Sequence, residues 1–139
     1  MPLKEYAFKY GHGEIRFSLD PLHVKGELRI KDFPPLPDPK TALLEAIRNP
    51  IGSKPLREIA KPGQTVCFIV NDPTRVANSD VFMPLLLDEM NQAGVPDAKM
   101  FVIFAAGAHR ELSAKEMAEL VGAETARRAG SGSVTDRPP

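Results

Sequence analysis

The chain has 139 residues, enough for one compact domain with a core and little more. Eighteen Lys plus Arg balance eighteen Asp plus Glu, which excludes the basic excess usual in a nucleic-acid binder. One cysteine, Cys67, excludes an internal disulfide, and no apolar run approaches membrane-spanning length.

Residues 5–10 and 14–19 read as strands around Gly11-His12-Gly13, a hairpin connection by its glycine content. A third strand is expected over residues 23–30, weakened by Gly26. Phe33-Pro34-Pro35-Leu36-Pro37-Asp38-Pro39 follows, where proline rules out regular helix and central strand and leaves a stiff extended connector. Ala42, Leu43, Ala46 and Ile47 have helical spacing over residues 41–48, and Asn49-Pro50 ends that helix. A short helix is expected over 56–60, ahead of a turn at Pro62-Gly63.

From residue 63 the pattern becomes strand–helix–strand–helix. Residues 65–70 form an apolar run in which Cys67 is expected to be a buried hydrophobe rather than a nucleophile. A helix over 80–92 places Val81, Phe82, Leu85, Leu86 and Met90 on one face, with Pro84 tolerable only in its first turn. Residues 98–104 form the next strand. Ser113 with Glu116 makes a capping box for a helix whose buried stripe is Met117, Leu120 and Val121. Short connections predict parallel strands with right-handed crossovers. The fold class is therefore α/β, a Rossmann-like parallel sheet with flanking helices preceded by an N-terminal β-hairpin segment. One domain is expected over 1–129, divided into a β-rich segment 1–32, a Pro-rich connector with helices 33–62 and the βαβα core 63–129. Residues 130–139 are expected to be a disordered tail.

Two loops follow the two expected parallel strands, Asn71-Asp72-Pro73-Thr74-Arg75 and Ala106-Gly107-Ala108-His109-Arg110. Ligands of open α/β sheets sit outside the carboxyl ends of the strands, so these loops are expected to converge on one site. Arg75 carries a permanently charged fork suited to a carboxylate or phosphate. Asp72 is open to three readings: orienting Arg75, accepting from a sugar hydroxyl, or closing an Asx turn beside Pro73. Thr74 offers a hydroxyl and a backbone N–H. His109 offers an imidazole, the side chain most often used to take and return a proton. Gly107 before it permits a tight turn. His12 and His23 read as surface or structural groups. The glycine fingerprint of dinucleotide-binding folds is missing after the first parallel strand, and so is a Walker-type loop.

These residues resemble the N-terminal domain of the nickel-dependent lactate racemase family. The resemblance runs from Tyr10-Gly11 through Pro35-Leu36-Pro37-Asp38-Pro39, Asn49-Pro50-Ile51-Gly52-Ser53, Pro55-Leu56 and Ala60-Lys61-Pro62-Gly63. It continues through Asp72-Pro73-Thr74-Arg75 and Gly107-Ala108-His109-Arg110 to about Gly122. It implies a racemase or epimerase acting on lactate or a related small 2-hydroxy acid, with a nickel pincer nucleotide as cofactor. It further implies His109 as one of two acid–base histidines and Arg75 as the group steadying the substrate carboxylate or developing ketone. The loop Asp72, Pro73, Thr74 and Arg75 would contact the cofactor, and no metal ligand is expected within this chain. Ala108 and Val76 depart from the Thr and Pro common in the family. The second histidine, a tethering lysine and a nickel-ligating histidine belong to a C-terminal domain expected to be missing here, so the chain is read as a truncated, inactive fragment. A cytoplasmic setting without nucleic-acid or membrane partners is expected. The alternative is a non-catalytic module that binds a nucleotide or organic acid on the same fold.

Overall fold

The computed structural model describes residues 2–75 and 77–135. The chain separates into two units, residues 1–35 and residues 36–139.

In the N-terminal unit, β1 (Lys4–Tyr10) and β2 (Gly13–Leu19) pair antiparallel in full register from Lys4↔Leu19 to Tyr10↔Gly13. The connection is the two-residue turn Gly11-His12, where Gly11 has φ +57°, the conformation a tight hairpin asks of its first central residue. Alternation puts Tyr6, Phe8, Ile15, Phe17 and Leu19 on one face. Tyr6 and Phe8 both stack on Phe17, with ring centroids 5.9 and 5.4 Å apart. The expected third strand does not form. Pro21–His23 is a single 3₁₀ turn, with Asp20 accepting from the Leu22 N–H, and residues 24–35 have no regular structure. Gly26 and the outward placement of Leu28 and Ile30, fully exposed, leave that segment without a packed face to hold a ladder.

In the larger unit, Asp38 caps α1 (Pro39–Arg48), its carboxylate accepting from the Lys40 and Thr41 N–H groups, with Pro39 at the first helical position. The short α2 spans Leu56–Ile59. Then β3 (Val66–Asn71), α3 (Ser79–Gln92), β4 (Met100–Gly107), α4 (Ala114–Arg128) and β5 (Gly130–Thr135) follow. The three strands are parallel in the order β3-β4-β5. With the strands in sequential order, the usual right-handed crossover brings both long helices to one face, and α3 packs on α4. The fold class read from the sequence is the one observed.

The core lies between that face and the helices. Val70, Val102 and Phe104 meet Met83, Leu87, Met90 and Val121, all 5% exposed or less. Four expectations change. Residues 130–135 are not a disordered tail but a strand, because β4 supplies a ladder that a Gly/Ser-rich segment joins through its backbone; residues 136–139 lie outside the described residues. Cys67 is exposed rather than buried, and Ile69 is 76% exposed, since they occupy the sheet face that α3 and α4 leave uncovered. On α3 the most deeply buried apolar residues are Met83, Leu87 and Met90, while Val81, Phe82, Leu85 and Leu86 are half-buried. Neighbours on several sides blur a single stripe. On α4, Val121 is buried but Met117 and Leu120 only partly so.

Helix α3 also carries an internal proline, Pro84, five residues after its first residue Ser79, beyond the first turn where proline is harmless. Its carboxylate Glu89 is buried and binds two cations from the outer helices. Arg48 of α1 reaches Oε1 at 2.7–2.8 Å, and Arg57 of α2 reaches Oε2 at 2.7 Å. Burial works to raise the Glu89 pKa, and hydrogen bonds from Arg48 and Arg57 overcome it, leaving it lowered. Among the described residues no helix is long and apolar enough to cross a membrane.

Candidate functional site

Parallel pairing aligns Asn71 of β3 with Ala105 of β4, so the loops after the two strands leave the same edge of the sheet. They meet. His109 Nδ1 is hydrogen-bonded to Asp72 Oδ2, joining residues 37 positions apart. Sequence reading brought the two loops to one edge but did not pair these two side chains.

Each loop is shaped by its own short-range bonds. Asp72 Oδ1 accepts the Thr74 hydroxyl at 2.7 Å and the Thr74 N–H at 3.2 Å, and Arg75 N–H donates to the Asp72 carbonyl at 3.1 Å. This is the Asx turn among the three readings of Asp72. The Asp72 side chain is 6% exposed. Its pKa is lowered, by the Thr74 hydroxyl first and His109 second, against burial acting the other way.

The second loop begins at an irregularity in the β4–β5 pairing between Ala105 and Gly107, a device that redirects the chain beside many sites. Gly107 has φ +56°, and His109 N–H donates to Ala106 C=O at 3.0 Å. Beyond the histidine, Leu112 is anchored in the core. Arg110 grips Glu116 through two hydrogen bonds of 2.5 and 3.0 Å. Glu116 closes the expected capping box with Ser113. Hydrogen bonds from Arg110, then from the Ser113 backbone and hydroxyl, lower its pKa to about 2. The loop carrying His109 is thus fixed at both ends, while the His109 side chain is 57% exposed.

Arg75 is exposed and lines a cleft of about 210 Å³ with Asn71, Pro73, Asn78, Ser79 and Asp80. Asn78 stands in the left-handed region at φ 52° and supplies no side-chain cap. The first-turn amides of α3 therefore have no side-chain partner at Asn78. A guanidinium, the hydroxyl of Ser79 and a helix N-terminus suit an anionic group, against which stand two carboxylates of the same wall, Asp80 and Glu119. The cleft contains neither Asp72 nor His109. A larger cavity of about 640 Å³ belongs to the N-terminal unit and shares no residue with either loop. Among the described residues no group of three His, Cys, Asp or Glu could hold a metal ion. Val76, one of the two departures from the family pattern, lies outside the described residues. His12 and His23 are exposed.

Residues 10–136 match the lactate racemase N-terminal domain family. The chain is 31% identical over 110 residues to the lactate racemase of Thermoanaerobacterium thermosaccharolyticum, covering 78% of this chain and 26% of that protein. It is 32% identical over 78 residues to the lactate racemase of Lactiplantibacillus plantarum, covering 56% and 18%. The structure of the Thermoanaerobacterium lactate racemase apoprotein superposes with a TM-score of 0.75 at 26% identity, covering 94% of this chain and 30% of that one. The chain thus spans about a quarter or less of the length of these curated relatives.

Proposed function

The chain belongs to the lactate racemase N-terminal domain family, and from that premise we propose that it is the N-terminal part of a racemase or epimerase of lactate or a related 2-hydroxy acid. The observation that carries the reading is the junction of the two loops, with His109 held by Asp72 and Arg75 in the same turn as Asp72. His109 takes the hydroxyl proton of the substrate on a ring nitrogen and later returns a proton to a carbonyl oxygen. Arg75 binds the substrate carboxylate, or the oxygen that gains charge as the hydroxyl becomes a ketone.

The cleft at Ser79 and the first turn of α3, with Asp80 and Glu119 in its wall, lies beside the loop Asp72, Pro73, Thr74 and Arg75, which would border the cofactor. The chemistry a bound nickel pincer nucleotide would supply is reversible acceptance of the α-hydrogen with its electron pair. The nickel ligand, the tethering lysine and the second acid–base histidine would come from a C-terminal domain, so this segment by itself is inactive in our reading. A second reading is a non-catalytic nucleotide- or organic-acid-binding module. It draws on the same cleft, which needs Arg75 and not His109.

The test is a chimera in which this chain replaces the matched segment of the Thermoanaerobacterium racemase, loaded with the nickel cofactor. It should interconvert the enantiomers of a 2-hydroxy acid, and His109→Ala should lower turnover about 10²–10⁴-fold. Turnover unchanged by His109→Ala would remove the histidine from the mechanism. A folded, loaded chimera that racemises no 2-hydroxy acid would favour the binding module.

A further inference from the structure

We propose that Asp72 is a positioning residue that selects the proton arrangement of His109. The idea rests on the reading of His109 as a base, and it is carried by how the carboxylate is used. Thr74 engages Oδ1 twice, through its N–H and its hydroxyl, while Oδ2 faces His109 Nδ1. An ionised carboxylate is acceptor-only. A neutral imidazole bonded to it must therefore carry its proton on Nδ1, which places the lone pair on Nε2. Nε2 is then the atom that receives the substrate's hydroxyl proton. The imidazolium formed by that transfer is stabilised by the same carboxylate, the logic by which an aspartate serves a histidine base in acyl-transfer triads.

The Thr74 contacts make the idea sharp. In Asp72→Asn both Thr74 donors still require an oxygen at the Oδ1 position, so the amide nitrogen is turned toward His109. It donates to Nδ1, and the ring proton moves to Nε2. The substitution keeps the shape of the loop and reverses the tautomer.

The experiment is long-range ¹⁵N–¹H correlation on the ¹⁵N-histidine-labelled 139-residue chain, followed over a pH series to the limiting alkaline spectrum, with His109 assigned through His109→Gln. Wild type should show the Nδ1–H tautomer and Asp72→Asn the Nε2–H tautomer, with dispersed amide spectra proving that both are folded. Asp72→Ala removes the acceptor at Nδ1, so the Nδ1–H share should fall below that of wild type. A predominant Nε2–H form in wild type, or the same tautomer in all three proteins, would overturn the proposal. In the loaded chimera Asp72→Asn should reduce kcat by about 10³–10⁴-fold with KM little changed. A silent chimera would count against the racemase reading and leave the tautomer result standing, so the two ideas fail separately.

Discussion

Glu89 should destabilise the fold once its two cations are removed. Its side chain is 2% exposed, whereas Arg48 and Arg57 are 43% and 39% exposed. Replacing both arginines by methionine keeps much of their aliphatic bulk and leaves a buried carboxylate without a cation. Stripping the partner from a buried ion pair costs about 3–5 kcal/mol. Either single replacement leaves one fork in place, and with partly exposed guanidinium groups it should cost only about 1–2 kcal/mol. The pair is therefore non-additive, the second loss exceeding the first.

The pH dependence carries the opposite sign in the two proteins. In the wild type the Glu89 pKa is lowered. The folded state then binds fewer protons than the unfolded one, and the stabilisation present above the ordinary value of 4.5 is lost as pH falls through the depressed value. In R48M/R57M only burial remains, so the pKa is raised. The folded state now binds more protons, and the penalty is greatest above the raised value and shrinks on acidification. Urea unfolding of both proteins near neutral pH and at about pH 5 measures this, because titrations elsewhere cancel in the difference. A deficit under about 1 kcal/mol near neutral pH, or one that grows toward acid, would refute the reasoning.

Two further expectations rest on backbone and cap geometry. Gly94 has φ +86°, and an added Cβ would lie 2.8 Å from Pro62 Cγ. Gly94→Ala should therefore cost more than the about 1–2 kcal/mol of left-handed backbone alone. Gly52→Ala, at φ +72° with nothing within 4 Å, should show only that backbone cost, and equal urea midpoints for the two variants would contradict the contact. The Glu116 pKa is lowered to about 2 from an ordinary 4.5, so its contribution is present above 4.5 and lost as pH falls toward 2. The stability gap between wild type and Glu116→Gln should accordingly narrow over that range, and a gap constant into acid would count against the cap.

What could be read from sequence was mostly local. The hairpin declares itself through alternation around Gly11-His12, and α4 through Ser113 and Glu116, each within a few residues. The convergence of the two loops was legible because parallel strands deliver their carboxyl ends to one edge of the sheet. What escaped depends on distant partners. β5 has a Gly/Ser composition with little strand propensity of its own, and only the β4 ladder makes it a strand. Cys67 sits in an apolar run, and periodicity cannot tell whether the second face of such a run is covered. The bond between Asp72 and His109 spans 37 positions, and nothing in either loop names the other. The clasp across α1, α2 and α3 escaped for the same reason: Asp88 and Glu89 are adjacent carboxylates of α3, and only the fold exposes the first and buries the second.

The uncovered sheet face has a practical corollary, because the lone thiol stands on it. Cys67 is flanked in β3 by Val66 and Phe68, which pack toward the core, so the strand holds it in place while leaving its sulfur to solvent. Thiol labelling follows access. Alkylation of this folded chain at a rate near that of an unfolded peptide registers an open face. Slowing at fixed pH when a partner is added would then register cover over this part of the sheet. The protein carries its own footprinting probe on that face.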